Sequence, residues 1–275
     1  MNKFDAYKMD GLGNDFIIFD KREKSILLSK DQIRKISNRS YIGCDQVIFI
    51  SKDKTDDPFL QFYNSDGGET SACGNGSRCV ASLLMKESGR KKITLRTKFG
   101  VLKAKLSNEY LVSINIGAPN FDWNKIPLIK KMDNRNLKIT INSIDGKKVM
   151  GGFSLSVGNP HLIFFVDDFN KFNLNEIGPQ LENHKYFPEK CNVTLATIKN
   201  KKHVKVKVWE RGAGLTKACG TAACATAVSG SILELNDRSV DIEFAGGLLN
   251  INWKKDNNIY MTGKVSKIRK IIVNI

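Results

Sequence analysis

Two cysteines occupy the same local sequence in opposite halves of this 275-residue chain. One copy reads Asn64-Ser-Asp-Gly-Gly-Glu-Thr-Ser-Ala-Cys73-Gly and the other Glu210-Arg-Gly-Ala-Gly-Leu-Thr-Lys-Ala-Cys219-Gly. Each has glycine five residues before the cysteine, threonine three before, alanine one before and glycine one after. The cysteines stand 146 residues apart, and nearly the same offset carries Asn14 onto Asn159, Cys44 onto Cys191 and Cys79 onto Cys224. A repeat this long is a whole domain rather than a solenoid unit, so each copy needs its own core. The expected divisions are residues 1–117, completed by 264–275, and residues 118–263.

Local patterns fill in both copies. Ser29 with Gln32 three residues later reads as a capping box opening an amphipathic segment through Ile33 and Ile36, answered by Ile177 and Leu181 in the second half. A helical stretch follows each matched cysteine: residues 78–87 stopped by Gly89, and residues 221–229 before Gly230. The second is built almost wholly of small residues, which predicts burial on every side. Strand-like runs at 101–106 and 110–116 match runs at 248–253 and 259–262, and residues 203–209 alternate apolar and charged side chains. The tail 271–275 is strand-like and is expected to complete the first domain's sheet, while 118–145, with Pro119 and Pro127, reads as the connection between copies. The fold class expected is α+β.

Composition enters mainly to exclude. The 41% hydrophobic and 26% charged content is that of a globular protein, and the longest apolar run, residues 162–166, is too short to span a bilayer. Asp5 and Asp10 interrupt any signal-like segment, so a cytoplasmic location with six reduced cysteines is expected and no membrane partner. The close pairs Cys73/Cys79 and Cys219/Cys224 lack zinc-ligand spacing and have no histidine beside them, so no metal is expected. A net charge of +16 invites nucleic acid as a partner, but the lysines are scattered in pairs without aromatic interleaving or a recognisable module. A basic nucleic-acid-binding protein is therefore the rival from another class, and no nucleic acid is expected.

The matched cysteines sit where a glycine-bearing loop enters a helix. Unpaired N–H groups and the positive end of the helix dipole favour thiolate there, predicting lowered pKa values, and the N–H groups of Gly74, Asn75, Gly220 and Thr221 suit a carboxylate. Two such thiols on opposite faces of one carbon suit inversion of a stereocentre: one removes the α-proton and the other returns a proton to the other face. The other four cysteines, Cys44, Cys79, Cys191 and Cys224, take the ordinary role of packed small hydrophobes.

With Gly11-Leu-Gly-Asn-Asp-Phe16, Gly43-Cys-Asp-Gln46, Ala72-Cys-Gly-Asn-Gly-Ser-Arg-Cys79, Gly158-Asn-Pro-His161 and the segment from Glu210 to Thr221, the chain resembles the diaminopimelate epimerases over essentially its whole length. The first motif mimics a dinucleotide fingerprint, but Phe16 stands where its last glycine belongs. The resemblance implies conversion of LL-2,6-diaminopimelate to the meso isomer, without pyridoxal phosphate or other cofactor, toward lysine and cell-wall precursors. It implies two pseudo-symmetric domains, each a mostly antiparallel sheet wrapped around a central helix, with the active site in the cleft between them. Cys73 corresponds to the proton donor and Cys219 to the acceptor, exchanging roles with direction. Asn14, Gln46, Asn64, Gly74, Asn75, Asn159, Asn192, Glu210, Arg211, Gly220 and Thr221 correspond to substrate-binding positions, and His161 and Glu210 to tuners of the cysteine pKa values. A homodimer is also implied, although Arg269 stands where an aromatic is expected at the contact. The nearest alternative is a proline or hydroxyproline racemase of the same architecture.

Overall fold

Strand Asn14–Asp20 buries Phe16, Ile17, Ile18 and Phe19 in succession, so both of its faces are covered. The computed structural model describes residues 2–70, 73–98 and 100–275; Ala72, which precedes Cys73 in the repeated phrase, lies outside them. The chain divides into two compact units, Met1–Asn115 with Thr262–Ile275, and Ile116–Met261.

In the first unit, Asn14–Asp20 pairs antiparallel with Lys3–Gly11 and parallel with Gln46–Ser51, in register Phe16↔Gln46. The parallel pair requires a crossover, which contains α1 (Lys30–Ser37). The Ser29–Gln32 capping box is formed, with Ser29 Oγ accepting from the Gln32 amide and Gln32 Oε1 from the Ser29 amide. Ile33 and Ile36 of α1 join Ile17, Phe19, Val47 and Phe49 in one core layer. Antiparallel pairing continues through Phe59–Asn64 to Glu69–Thr70, and Lys92–Thr97 pairs with Gly100–Asn108. The tail strand Arg269–Asn274 lies antiparallel to Lys3–Gly11, in register Lys3↔Asn274.

The sheet's inner face holds α2 (Gly74–Ser88), buried continuously from Asn75 to Met85 and closed at Gly89. Gly76 lies against Ile48, Phe62 and Phe16. Alternation along the strand thus sends Ile17 and Phe19 to the α1 layer and Phe16 to α2.

The second unit repeats the plan. Pro160–Phe165 runs antiparallel to Phe153–Ser156 and parallel to Asn192–Asn200, with α3 (Leu174–Glu182) in the crossover and the register His161↔Asn192. His203–Glu210 pairs antiparallel with Asn192–Asn200 and Gly214–Thr216, and parallel with Ser239–Phe244, which continues antiparallel to Gly247–Trp253. The central helix, α4 (Gly220–Ile232), is buried from Ala222 to Gly230.

Two expectations are corrected. The second helical stretch does not end before Gly230; α4 continues through it to Ile232. The glycine is required for close approach instead, because a Cβ there would collide with the Asn236 side chain, which is held by bonds from Nδ2 to Ala227 O and Asp237 O. The segment 118–145 is more than a connection. Ile126, Leu128, Leu137, Ile139 and Ile141 are buried in the core shared with Leu174 and Leu181 of α3, and Ile139–Asn142 forms a two-stranded sheet with Lys148–Gly151.

Gly230→Ala is expected to destabilise the protein by roughly 1–3 kcal/mol, the usual cost of overpacking, read as a lower urea midpoint at unchanged m-value. Adding Asn236→Ala, which frees the space, should recover part of the stability lost to the alanine.

Candidate active site

Cys73 and Cys219 are the N-caps of the two central helices and have nearly the same backbone conformation, φ −140° and ψ 115° for Cys73 and φ −133° and ψ 115° for Cys219. Each follows a strand, a turn and a short return strand: Phe59–Asn64 and Glu69–Thr70 in the first unit, His203–Glu210 and Gly214–Thr216 in the second. The repeated glycine and threonine of the sequence fall in or beside those return strands. Each helix then presents its first amides, those of Gly74 and Asn75 or of Gly220 and Thr221, without intrahelical acceptors.

In the first unit, Cys73 is half-buried and its sulfur accepts from the Gly76 amide at 3.4 Å. Asn75 is buried, and its Oδ1 accepts from Nη2 of Arg78 at 2.8 Å. Asn14, Gln46 and Asn64 fall at the same end of three neighbouring strands: Phe16 is registered with Gln46, and Gln46 with Asn64. Gln46 Nε2 donates to Asn64 Oδ1 at 2.9 Å. The remaining amide oxygens, Asn14 Oδ1 and Gln46 Oε1, are buried without a hydrogen-bond partner. Orphaned acceptors cost free energy in a folded protein unless a donor arrives, so this row is suited to an N–H-bearing ligand such as an ammonium group.

Four charges brace that row. Arg39 donates from Nη1 to Asp15 Oδ2 at 2.8 Å and from Nη2 to Asp45 Oδ1 at 2.6 Å, and Lys8 lies 3.2 Å from Asp15. The Asp15 amide donates to Asp45 Oδ2, and the Asp45 amide to the Asp15 backbone carbonyl. Burial opposes ionisation of Asp15, but Arg39 and Lys8 outweigh it and hold its carboxyl below the usual range. These ties fix the residues that directly follow Asn14 and precede Gln46. Sequence reasoning quoted Asp15 and Asp45 within motifs without assigning them a part; their pairing through Arg39 joins residues far apart in sequence.

In the second unit a hydrogen-bonded line ends at Cys219. His161 Nε2 lies 3.0 Å from Asn159 Oδ1, Asn159 Nδ2 3.5 Å from Thr221 Oγ1, and Thr221 Oγ1 3.4 Å from the Cys219 sulfur. With Asn159 accepting through Oδ1, the imidazole carries its proton on Nε2. Burial, reinforced by the Arg211 charge, pulls the His161 pKa down to about 3, so the ring is neutral near pH 7. Asn192 is buried, accepts from the Arg211 amide at 3.0 Å and donates to Pro160 O at 3.0 Å. Arg211 itself is exposed and donates from Nη1 to Glu189 O.

The expectation of a lowered thiol pKa is overturned at Cys219. Burial pushes this thiol well above its ordinary range, the Glu210 carboxylate adds to the shift, and the Thr221 hydroxyl and Ala222 amide only partly offset it. The helix start is present, but it competes with loss of solvent and with a nearby negative charge. Burial also raises the thiols of Cys44, Cys79 and Cys191, as suits packed side chains. Among the described residues no group of three or more His, Cys, Asp and Glu side chains is arranged to hold a metal ion, and no helix is long and apolar enough to cross a membrane.

The family model described as diaminopimelate epimerase matches residues 6–121 and 153–268, covering both units of the duplication. A diaminopimelate epimerase of Pelagibacter ubique is 56% identical over 98% of this chain and 98% of its own length. The chain belongs to the diaminopimelate epimerase family. One from Acidiphilium cryptum is 39% identical, covering 95% of this chain and 93% of the relative. The fold extends more widely: a predicted epimerase from Pseudomonas aeruginosa superposes with a TM-score of 0.71 at 13% identity, with 99% of each chain covered. A hydroxyproline epimerase from Agrobacterium vitis gives 0.67 at 12% identity, covering 99% of this chain and 93% of that one. Those two likenesses concern architecture; the family assignment comes from the sequence matches, which favour it over the proline racemase alternative.

The electrostatics of Cys219 have a measurable consequence. Replacing Glu210 by Gln removes a negative charge that disfavours thiolate, so the Cys219 pKa should fall. Peptide-resolved alkylation with iodoacetamide should therefore give a rate-against-pH curve displaced to lower pH in Glu210→Gln, whereas an unmoved curve would remove Glu210 from the electrostatics of this thiol.

Proposed function

We propose that Cys73 and Cys219 are the two bases by which this chain converts LL-2,6-diaminopimelate to the meso isomer, a step in lysine biosynthesis. The observation that carries the reading is the matched placement of the two thiols, each N-capping a buried helix in the same backbone conformation. Inversion at a carbon needs a proton removed from one face and another delivered to the opposite face. Two equivalent thiols supply both without exchange of the catalytic group.

Cys219 takes the α-proton of the LL isomer and Cys73 gives one back; the reverse reaction exchanges the roles. The first amides of a central helix suit a carboxylate and stabilise the charge that grows on it as the α-proton leaves. The orphaned oxygens of Asn14 and Gln46 accept from the substrate's ammonium groups, and Asn64, Asn75, Asn159, Asn192 and Thr221 complete its polar surroundings. Arg211 pairs with a carboxylate, for which a guanidinium has the matching planar geometry. His161 is a neutral imidazole that orients Asn159 and through it Thr221, while Glu210 opposes ionisation of Cys219 until substrate is bound. A cytoplasmic location and a homodimer belong to the same reading; equilibrium sedimentation giving a monomer at micromolar concentration would remove the dimer.

Incubation with LL-diaminopimelate should yield the meso isomer by chiral chromatography, with proline left unchanged. In heavy water the product should carry solvent deuterium at the inverted carbon, whereas complete retention of the original hydrogen would refute two separate bases. Cys73→Ala and Cys219→Ala should each lower kcat by at least about a hundredfold with the far-UV circular dichroism unchanged. Near-normal turnover in either variant would exclude the assigned role.

A further inference from the structure

A buried carboxylate outside this set of residues holds the turn that carries two of them. Glu182, the last residue of α3, is only 5% exposed. Its Oε2 accepts from the indole Nε1–H of Trp209 at 2.7 Å and its Oε1 from the amide of Gly212 at 3.0 Å. Those donors bracket Glu210 and Arg211 on either side, so one carboxylate ties both ends of the four-residue turn. The nearest cation, Lys190, stands 4.0 Å from Oε1 with a largely exposed side chain.

Two further contacts make the turn rigid. Gly178 lies one helical turn before Glu182, and a Cβ there would come within 2.6 Å of Trp209 Cδ2, so the bare glycine lets the indole lie flat against α3. Asn192 Oδ1 accepts from the Arg211 amide, so the main chain of the turn is held at residues 211 and 212. The docking of α3 does not call for a charge, since Leu174 and Leu181 already pack into the apolar core. A buried carboxylate costs free energy that an apolar side chain would not, and is retained where its hydrogen bonds fix a geometry.

We infer that Glu182 is a positioning residue for the reaction: its carboxylate clamps the Trp209–Gly212 turn, setting where Arg211 meets the substrate carboxylate. The inference rests on the part given above to Arg211, and the test separates the two.

Glu182→Gln keeps one acceptor oxygen but turns an amide NH2 toward one of the two N–H donors. It should lower kcat/KM for LL-diaminopimelate about ten- to a hundredfold, the scale of effect that a slight misplacement produces. Trp209→Phe retains the ring and removes the Nε1–H, so the Glu182→Gln/Trp209→Phe double variant should regain part of the loss, as an effect on packing alone would not. In an Arg211→Lys background the Glu182→Gln loss should largely disappear, because both changes act on the same contact. Additive losses in that cycle, absence of rescue by Trp209→Phe, or unchanged kinetics in Glu182→Gln would each overturn the inference. If wild-type protein fails to epimerise diaminopimelate, the reading of the site fails instead. The clamp is then judged by the 15N-edited indole resonance of Trp209 and the exchange rate of the Gly212 amide: both should shift in Glu182→Gln, and constancy of both would overturn it. Should Glu182→Gln fail to fold, Trp209→Phe alone carries the test through faster Gly212 amide exchange, and unaltered exchange would overturn the inference.

Discussion

A helix enclosed by sheet along most of its length can meet a ligand only at its ends. α2 is covered from Asn75 to Met85 and α4 from Ala222 to Gly230, so their first amides are the polar groups that the wrapping leaves unmatched. Everything distinctive about this chain follows from that arrangement. Enclosure demands small residues along α4 and a glycine where Asn236 crosses it, and it leaves the cysteines at the helix starts, where the wrapped segments begin. It also explains why both copies build a strand, a turn and a short return strand before the cysteine: the chain must reverse at the sheet's end to enter its centre.

Enclosure opposes the effect that helix starts are expected to have on thiols. An isolated helix N-terminus favours thiolate, yet at Cys219 loss of solvent dominates and Glu210 reinforces it. A base that rests as a thiol is protected from chance chemistry, and on the proposed scheme it becomes a thiolate only when the surroundings change. The Thr221 hydroxyl and Ala222 amide already favour the anion. A substrate bringing its own ammonium group beside Glu210 would reduce the charge that opposes ionisation of Cys219.

Much of this was legible because the repeat wrote it twice. A single Ala-Cys-Gly in a polar loop says little, whereas two copies with Asn14/Asn159 and Cys44/Cys191 at the same offset define paired α+β domains and separate two cysteines from the other four. The capping box at Ser29 was equally readable, since both its partners lie within one helical turn. What escaped depends on residues brought together from a distance. Gly230 looks like the residue beyond a helix until Asn236 is seen against it, and residues 126–141 look like a connection until α3 is seen to need a covering layer. The Lys8–Asp15–Arg39–Asp45 network and the Glu182 clamp both join side chains far apart in the chain, and no local pattern announces either.

The duplication kept a backbone and let the charges diverge. The Asn-Asp-Phe that opens one strand at Asn14 becomes Asn-Pro-His at Asn159, so His161 takes the strand position of Phe16, registered with Asn192 as Phe16 is with Gln46, and its burial leaves it uncharged. At the helix starts, Arg78 lies buried behind Asn75 in α2, while the corresponding turn of α4 holds no charged side chain and Glu210 bears on its cysteine. The guanidinium of the first copy is engaged by Asn75, whereas the Glu210 carboxylate of the second bears directly on Cys219. On the proposed scheme each turnover begins with one cysteine protonated and the other not. The carboxylate beside Cys219 favours its thiol form before substrate is bound, so on that scheme the thiolate that accepts the α-proton of the LL isomer forms only once bound substrate changes the charge around it. The two copies thus share the backbone that places each cysteine at a helix start and differ in the charge that surrounds it.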